Sequence, residues 1–170
     1  MASPTLQDEL SKKTGFDSPE QQAYLNLAYS HAQLAAAFAD LFKAHGLSEA
    51  TYNILRVLRG VRKRPENGRD ALPSGEIGGR LVTRVPDVTR LIDRLVKADL
   101  VDRIRGEVDR RVVLVRITTR GLALLRKLDG PVLELHRQTL GHMTRSDLKQ
   151  LNHLLERARQ ATTATATRAI

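Results

Sequence analysis

Hydrophobic and polar positions follow a helical period over the stretch PDVTRLIDRLVK, from Pro86 to Lys97. Its apolar residues recur at spacings of three and four, the period of a helix that is buried on one side; they are Val88, Leu91, Ile92 and Leu95. At about 100° per residue, Arg90 and Lys97 fall opposite that stripe and Arg94 falls on its flank. Because proline suits a first helical position, we predict a helix that begins at Pro86 and presents a basic face.

Long helical patterns lie at both ends of the chain. Ser18 and Pro19 form a helix start, with serine as the N-cap and proline at the first position. The pattern then runs to about Ala44, and its apolar stripe is longer than one small domain needs, which indicates contact with a second subunit. Leucine stripes predict further helices over residues 120–140 and 144–160.

Shorter elements fill the middle of the chain. Serine caps predict helices over 49–62 and, after Ser74, over 75–81. A tight turn then leads to the helix at Pro86. After Leu100 the period changes from 3.6 to 2, which predicts strands over 101–105 and 112–117 with a charged turn between them. Two helices joined by a tight turn and followed by a β-hairpin form a winged helix-turn-helix.

These elements predict a mainly α fold of the α+β type, with one DNA-binding winged helix-turn-helix domain over 46–119. N- and C-terminal dimerisation helices over 18–45 and 120–160 would flank it. We expect residues 1–17 to form a flexible arm and residues 161–170 to form a frayed tail.

Composition points to a polyanionic partner. The 170 residues carry a net charge of +9 at pH 7, which favours nucleic acid or an acidic membrane. No apolar run approaches the length that spans a bilayer, and no signal peptide opens the chain. We therefore expect a cytoplasmic protein without a membrane partner. The absence of cysteine excludes disulfides and thiolate metal sites.

Catalysis is not indicated by any constellation of residues. The five histidines are scattered and lack the spacing of metal ligands; they are His31, His45, His136, His142 and His153. No nucleophile–base pair or carboxylate pair stands out. We therefore predict that the chain is not an enzyme and has no catalytic residues, metal site or cofactor. A DNA-independent helical interaction module remains the alternative function.

Arginine is the side chain that most often reads guanine in the major groove. Arg90 and Arg94 are candidates by helix face, Arg84 lies in the turn at the helix entrance, and Thr89 flanks the basic face. Each of the four has a plainer alternative as a phosphate contact or an ordinary surface residue, because about half of protein–DNA hydrogen bonds go to the backbone.

The order of elements resembles the MarR family of bacterial transcription regulators. The matching segments are Tyr52 to Arg56, Val88 to Leu95, Asp102-Arg103, Asp109 to Val112, and Ile117 to Gly121. The resemblance implies a homodimer that binds a pseudo-palindromic double-stranded DNA operator, usually as a repressor. It also implies release of DNA by a small, often phenolic or anionic effector.

At the wing, the family's Asp-x-Arg pattern falls on Asp109, Arg110 and Arg111. Arg111 would enter the minor groove, where a narrow A/T tract concentrates negative potential. Asp109 lies two residues away and would hold that guanidinium in place. The alternative is a solvated surface ion pair.

An effector pocket is predicted between the dimerisation helices and the winged helix. Its polar wall would include His31, which is spaced along the apolar stripe of the first long helix, and Tyr24, which lies on the same stripe. A polar ring among aliphatic side chains needs a hydrogen-bond partner, and a small phenolic or carboxylate ligand would supply one. The alternative, which we favour on the sequence, is a structural histidine bonded to a carbonyl or to the other subunit.

Overall fold

The computed structural model describes residues 4–66, 68–106 and 112–168, with side chains described as far as residue 160. The elements within these residues are α1 (Leu6–Glu9), α2 (Pro19–Ala44), α3 (Glu49–Lys63), β1 (Leu72–Pro73), α4 (Ser74–Gly79), α5 (Val88–Lys97), β2 (Val101–Arg105), β3 (Val113–Ile117), α6 (Thr119–Leu140) and α7 (Arg145–Arg168). The chain divides into two compact units, Met1–Val132 and Leu133–Ile170. The prediction of a mainly α, winged helix-turn-helix fold is confirmed by this order.

Helix starts follow the predicted caps in two places. The Ser18 hydroxyl accepts from the Gln21 N–H at 3.1 Å, so α2 begins at Pro19 as expected. Ser48 and Thr51 form a capping box at the start of α3. At the end of α2, Gly46 has a φ of 71°, and the Leu47 N–H donates to the Phe42 carbonyl at 2.9 Å. Glycine adopts this left-handed conformation at little cost, which is why the helix ends there.

The predicted start of α4 is wrong by one residue. Ser74 is itself the first helical residue, and its N-cap is Pro73, which makes no side-chain capping bond. Pro73 also belongs to β1, a two-residue strand that periodicity did not predict. A strand this short shows no alternation of polar and apolar residues.

The sheet has the order β1-β3-β2 and is antiparallel throughout. Val101 pairs with Ile117 at one end of the hairpin, and Arg105 pairs with Val113 at the other. Strand β3 begins at Val113, one residue later than predicted. The hairpin formed by β2 and β3 places Val101 and Ile117, the base of the wing, within the core.

The hydrophobic core lies in the unit Met1–Val132 and joins the winged helix to parts of α2 and α6. Phe42 of α2 stacks on Tyr52 of α3 with ring centroids 4.2 Å apart. The side chains with the least exposure come from α3 to α6; they are Ile54, Leu55, Leu58, Ile77, Ile92, Val101, Val115, Ile117, Leu125 and Leu128. Helix α5 and the strands β2 and β3 therefore rest on one aliphatic core.

Gly121 allows the first turn of α6 to lie directly on the base of the wing. A Cβ at this position would be 2.8 Å from Cγ1 of Ile117 and would clash with the carbonyl oxygen of Leu100. The Gly121 N–H donates to the Thr118 hydroxyl at 3.0 Å. The same hydroxyl donates to the Asp99 carbonyl at 2.9 Å. Thr118 therefore ties the start of α6 to the loop between α5 and β2.

The unit Leu133–Ile170 contains the end of α6 and all of α7. A capping pair begins α7, because the Asp147 N–H donates to the Thr144 hydroxyl at 3.2 Å and the Asp147 carboxylate accepts from the Thr144 N–H at 3.0 Å. Backbone helix continues to Arg168, past the predicted end near Gln160. The extension contains no glycine or proline and includes alanine, the strongest helix former.

The first residues also contain structure that the sequence pattern did not predict. Within the predicted arm over 1–17, α1 is capped by Thr5, whose hydroxyl accepts from the Asp8 N–H. Leu6 in this turn is buried. Among the described residues, no helix is both long and apolar enough to cross a membrane.

Candidate nucleic-acid interface

Helix α5 separates an apolar inner face from a basic outer face, as the period predicts. Ile92 and Leu95 are buried in the core, and Val88 and Leu91 are half-buried against it. The predicted contact residues Thr89, Arg90 and Arg94 are all exposed. A helix that is fixed from behind by aliphatic packing holds its outer side chains in a constant position, which base recognition requires.

The predicted start of this helix at Pro86 is wrong, because α5 begins at Val88. Asp87 is the N-cap, and its carboxylate accepts from the Arg90 N–H at 2.9 Å. An aspartate cap satisfies a free backbone donor and opposes the positive end of the helix dipole. The later start places Thr89 and Arg90 in the first turn of the helix, the part that contacts base edges in helix-turn-helix proteins.

Two arginines near the helix entrance differ in their freedom to bind an anion. Arg80 donates to both carboxylate oxygens of Glu66, at 2.7 and 2.6 Å. These hydrogen bonds lower the pKa of Glu66 and raise that of Arg80. Arg84 is exposed and forms no ion pair with any described residue. Arg84 therefore keeps its charge available, whereas Arg80 holds the loop before β1 against the end of α4.

The outer arginines of α5 are likewise unpaired within the described part of the chain. Neither Arg90 nor Arg94 forms an ion pair with a described residue. They lie four residues apart, which places them one turn apart on the helix surface. Guanidinium groups are donors whose geometry matches phosphates and the acceptor edge of guanine.

An ion pair that the sequence did not reveal joins α5 to the wing. Arg103 of β2 lies 2.6 Å from the Asp93 carboxylate on α5. Both side chains are partly exposed, so the pair adds little stability by itself. It places a positive charge beside the carboxylate on α5 and links β2 to that helix. Charge pairing across two elements has no periodic signature, so the pattern along the chain could not indicate it.

The predicted wing residues Asp109, Arg110 and Arg111 lie outside the described residues. Their two flanks are described. The Gly106 N–H donates to the Val112 carbonyl at 2.9 Å, which continues the ladder of the hairpin beyond Arg105 and Val113. The segment that carries the predicted minor-groove residues therefore starts and ends at two adjacent points of the sheet.

Tyr24 and His31, the predicted pocket residues, are both exposed on α2 in the single chain. Tyr24 is 70% exposed, and His31 is also exposed. An open polar cleft lies elsewhere in the same unit, and its lining includes Arg62, Asp102 and Arg116. The described residues include no group of three or more His, Asp or Glu side chains placed to hold a metal ion.

Comparison with known proteins supports the features described above. A family model described as MarR family matches residues 63–113, which contain α4, α5 and β2. A crystal structure of a MarR transcription factor from Planctomyces limnophilus is 40% identical, covers 84% of this chain and 98% of that chain, and superposes with a TM-score of 0.61. The chain belongs to the MarR family. This MarR-family protein is a DNA-binding transcriptional regulator, as predicted, and not an enzyme.

Two further relatives of the MarR-family chain cover most of its length. The homoprotocatechuate degradative operon repressor of Escherichia coli is 28% identical over 134 residues, which is 78% of this chain and 85% of the relative. A mutant MarR from Escherichia coli, solved in complex with operator DNA, is 22% identical, covers 78% of this chain and 89% of that chain, and has a TM-score of 0.67. At 22% identity, the similarity to this mutant MarR shows that the two proteins share a fold.

Proposed function

We propose that the protein is a homodimeric repressor that reads a pseudo-palindromic operator with one α5 helix per protomer. The observation that carries this proposal is the exposed basic face of α5 above a buried aliphatic core, with no ion pair from Arg90 or Arg94 to any described residue. Two such helices related by a twofold axis would enter successive major grooves, with half-site centres about 10 bp apart. The repressor role is supported by the named function of the Escherichia coli relative.

Base reading is assigned to the first turns of α5 and to the turn before them. Arg90 and Arg94 would each pair with guanine, Thr89 would meet a phosphate or a thymine methyl group, and Arg84 would bind beside them. At the wing, Arg111 would enter the minor groove with Asp109 as its support and Arg110 beside it. This wing assignment rests on the sequence pattern and on family membership.

Dimerisation is assigned to the helices over residues 18–45 and 120–160. In the unit Met1–Val132, the apolar side chains of Tyr24 and Leu27 stand exposed on α2. In the unit Leu133–Ile170, Leu133 and Leu154 are each about half exposed. Leucine and tyrosine side chains on helices that lack a partner in the single chain are the surfaces that a second subunit buries.

The effector is assigned as a small aromatic acid that binds near Tyr24 and His31. Support comes from the exposure of both side chains on the apolar face of α2, where a second subunit would complete a pocket. The name of the Escherichia coli relative points to an operon for an aromatic compound. The ligand would favour a spacing of the two α5 helices that does not fit the operator. The shift in this equilibrium cannot exceed the difference between the ligand's binding free energies for the two spacings.

The DNA-binding proposal is tested by selecting duplexes from random DNA and measuring affinities for the selected site. Arg90→Ala and Arg94→Ala should each cost about 1–3 kcal/mol on the selected duplex if the contacts are bidentate to a base. Lys13→Ala, which also removes one positive charge, from an exposed position outside α5 and the proposed dimerisation helices, serves as the control. Equal losses on selected and random DNA would show that the two arginines contact only phosphates.

The effector proposal is tested with a panel of aromatic acids scored for release of the selected duplex. His31→Ala should raise the concentration of an active compound that is needed for release. A compound that releases DNA equally well from both proteins would make His31 structural, and the proposed pocket would then be wrong.

A further inference from the structure

Val82 is the most exposed large apolar side chain among the described residues, at 86%. It lies in the turn between α4 and α5, whose other residues divide between core and surface. Leu81 and Val85 are half-buried, and Leu81 packs against the core. Thr83 and Arg84 are exposed. Val82 therefore lies on the exposed side of the turn, as does Arg84, which forms no ion pair with any described residue.

The other exposed apolar side chains lie on the arm, on the long helices or on the wing. Val82 is separate from all of these. Turns favour glycine, proline and small polar residues, and an isolated exposed valine adds nothing to the core. Isolated apolar side chains are common on protein surfaces, so exposure alone decides nothing. The position of Val82 is what indicates a role in DNA binding, because Val82 lies six residues before Val88, the first residue of α5.

In the major groove, the C5-methyl group distinguishes thymine from cytosine, and apolar side chains contact it. The exposed residues of this turn include Val82, which carries two methyl groups, and Arg84, whose guanidinium can bind a phosphate. We propose that Val82 is a specificity-determining residue that reads the methyl group of one thymine in each half-site. This inference rests on the proposed reading of an operator by α5.

The experiment replaces each thymine of the selected duplex in turn with deoxyuridine, which keeps the base pair and removes only the methyl group. The wild-type protein should lose affinity about fourfold at one position per half-site, the effect of one buried methyl group. Val82→Ala should bind the unmodified duplex about fourfold or more weakly and should not respond to deoxyuridine at that position. Val82→Thr, which is nearly the same shape, should show an intermediate response because it keeps one methyl group.

The unfolding temperatures of the variants and the enrichment of duplexes from random DNA provide the controls. Since the side chain is exposed, both variants should unfold at the wild-type temperature. Leu10→Ala, a loss of exposed apolar surface outside the turn, should leave the deoxyuridine profile unchanged. If Val82→Ala keeps the wild-type sensitivity at every thymine, or if the wild type is insensitive everywhere, the inference is wrong while operator reading stands. If selection enriches no duplex over random DNA, the proposed function fails first and this inference fails with it.

Discussion

Arg59 and Asp129 form an ion pair that connects the middle of α3 to α6. The guanidinium donates to the carboxylate at 2.8 Å, and the two side chains are 13% and 45% exposed. The hydrogen bond from Arg59 lowers the pKa of Asp129 below its ordinary value. Because the folded-state pKa is the lower one, the stability that the pair contributes is present above pH of about 4 and is lost as the pH falls through the folded-state pKa.

Asp129→Asn should therefore lower the free energy of unfolding at pH 7 by about 1 kcal/mol or less, since the carboxylate is substantially exposed to solvent. Urea unfolding at pH 7 and at pH 3 measures the difference, which should shrink at the lower pH. Asp40→Asn removes the same charge from the exposed surface of α2 and is the control. An Asp129→Asn effect that is the same at both pH values would contradict the role of the ion pair.

At the scale of single residues, the sequence predicted which side chains of α5 are exposed, but it did not predict which side chains form ion pairs. Thr89, Arg90 and Arg94 are exposed as the helical period requires, because that period depends only on backbone geometry. The pairing of Asp93 with Arg103 and that of Arg80 with Glu66 depend on how separate elements meet in space. Their partners are ten and fourteen residues apart in sequence, so no local spacing identifies them.

The N-cap of α5 offers a prediction at the scale of one element. Asp87→Ala removes the acceptor for the Arg90 N–H and should cost about 1 kcal/mol of stability. The first turn, which carries Thr89 and Arg90, should then fray, and affinity for the selected duplex should fall by up to about fivefold. Asp87→Asn is the matched control, because it removes the same charge and keeps a capping oxygen. Equal behaviour of the two variants would show that charge, and not the cap, matters.

The contact of α6 with the base of the wing is the second prediction at this scale. Gly121→Ala should destabilise the protein by about 1–3 kcal/mol, because the added methyl group meets Ile117 and the Leu100 carbonyl. Gly60→Ala, in a helical position with open space around it, should be neutral or stabilising by up to about 1 kcal/mol. Thermal unfolding of both variants measures the contrast. A tolerated alanine at position 121 would mean that α6 moves away from the wing without loss.

Among whole elements, the starts of two helices and the bounds of one strand were predicted correctly. Helices α2 and α3 begin where Ser18 and Ser48 indicate, and β2 has the predicted bounds. The start of α5 was missed because Pro86 and Asp87 are both acceptable near a helix start, and the sequence does not show which backbone conformation is adopted. Strand β1 exists only because it pairs with β3, a tertiary contact that two residues do not encode.

At the scale of the whole molecule, the exposed stripe of α2 predicts association of two chains. Leu27→Asp should shift the protein from dimer to monomer at micromolar concentration, because a buried carboxylate without a partner is strongly unfavourable. Gln33→Asp adds the same charge on the opposite face of α2 and should leave the dimer intact. Sedimentation of the two variants measures this. A wild-type protein that is already monomeric at that concentration would contradict the dimer.

A graft of this DNA-binding module into another regulator must include the first turns of α6. Leu125 and Leu128 are fully buried in the same core that supports α5, and Gly121 lies on the wing strands. A chimera joined at residue 119 would remove both leucines from that core, and each such loss costs about 2–5 kcal/mol. The exchangeable piece runs from Phe42, which is also buried in that core, to Val132. Engineers who transfer operator specificity between such proteins should place their junctions at these two positions.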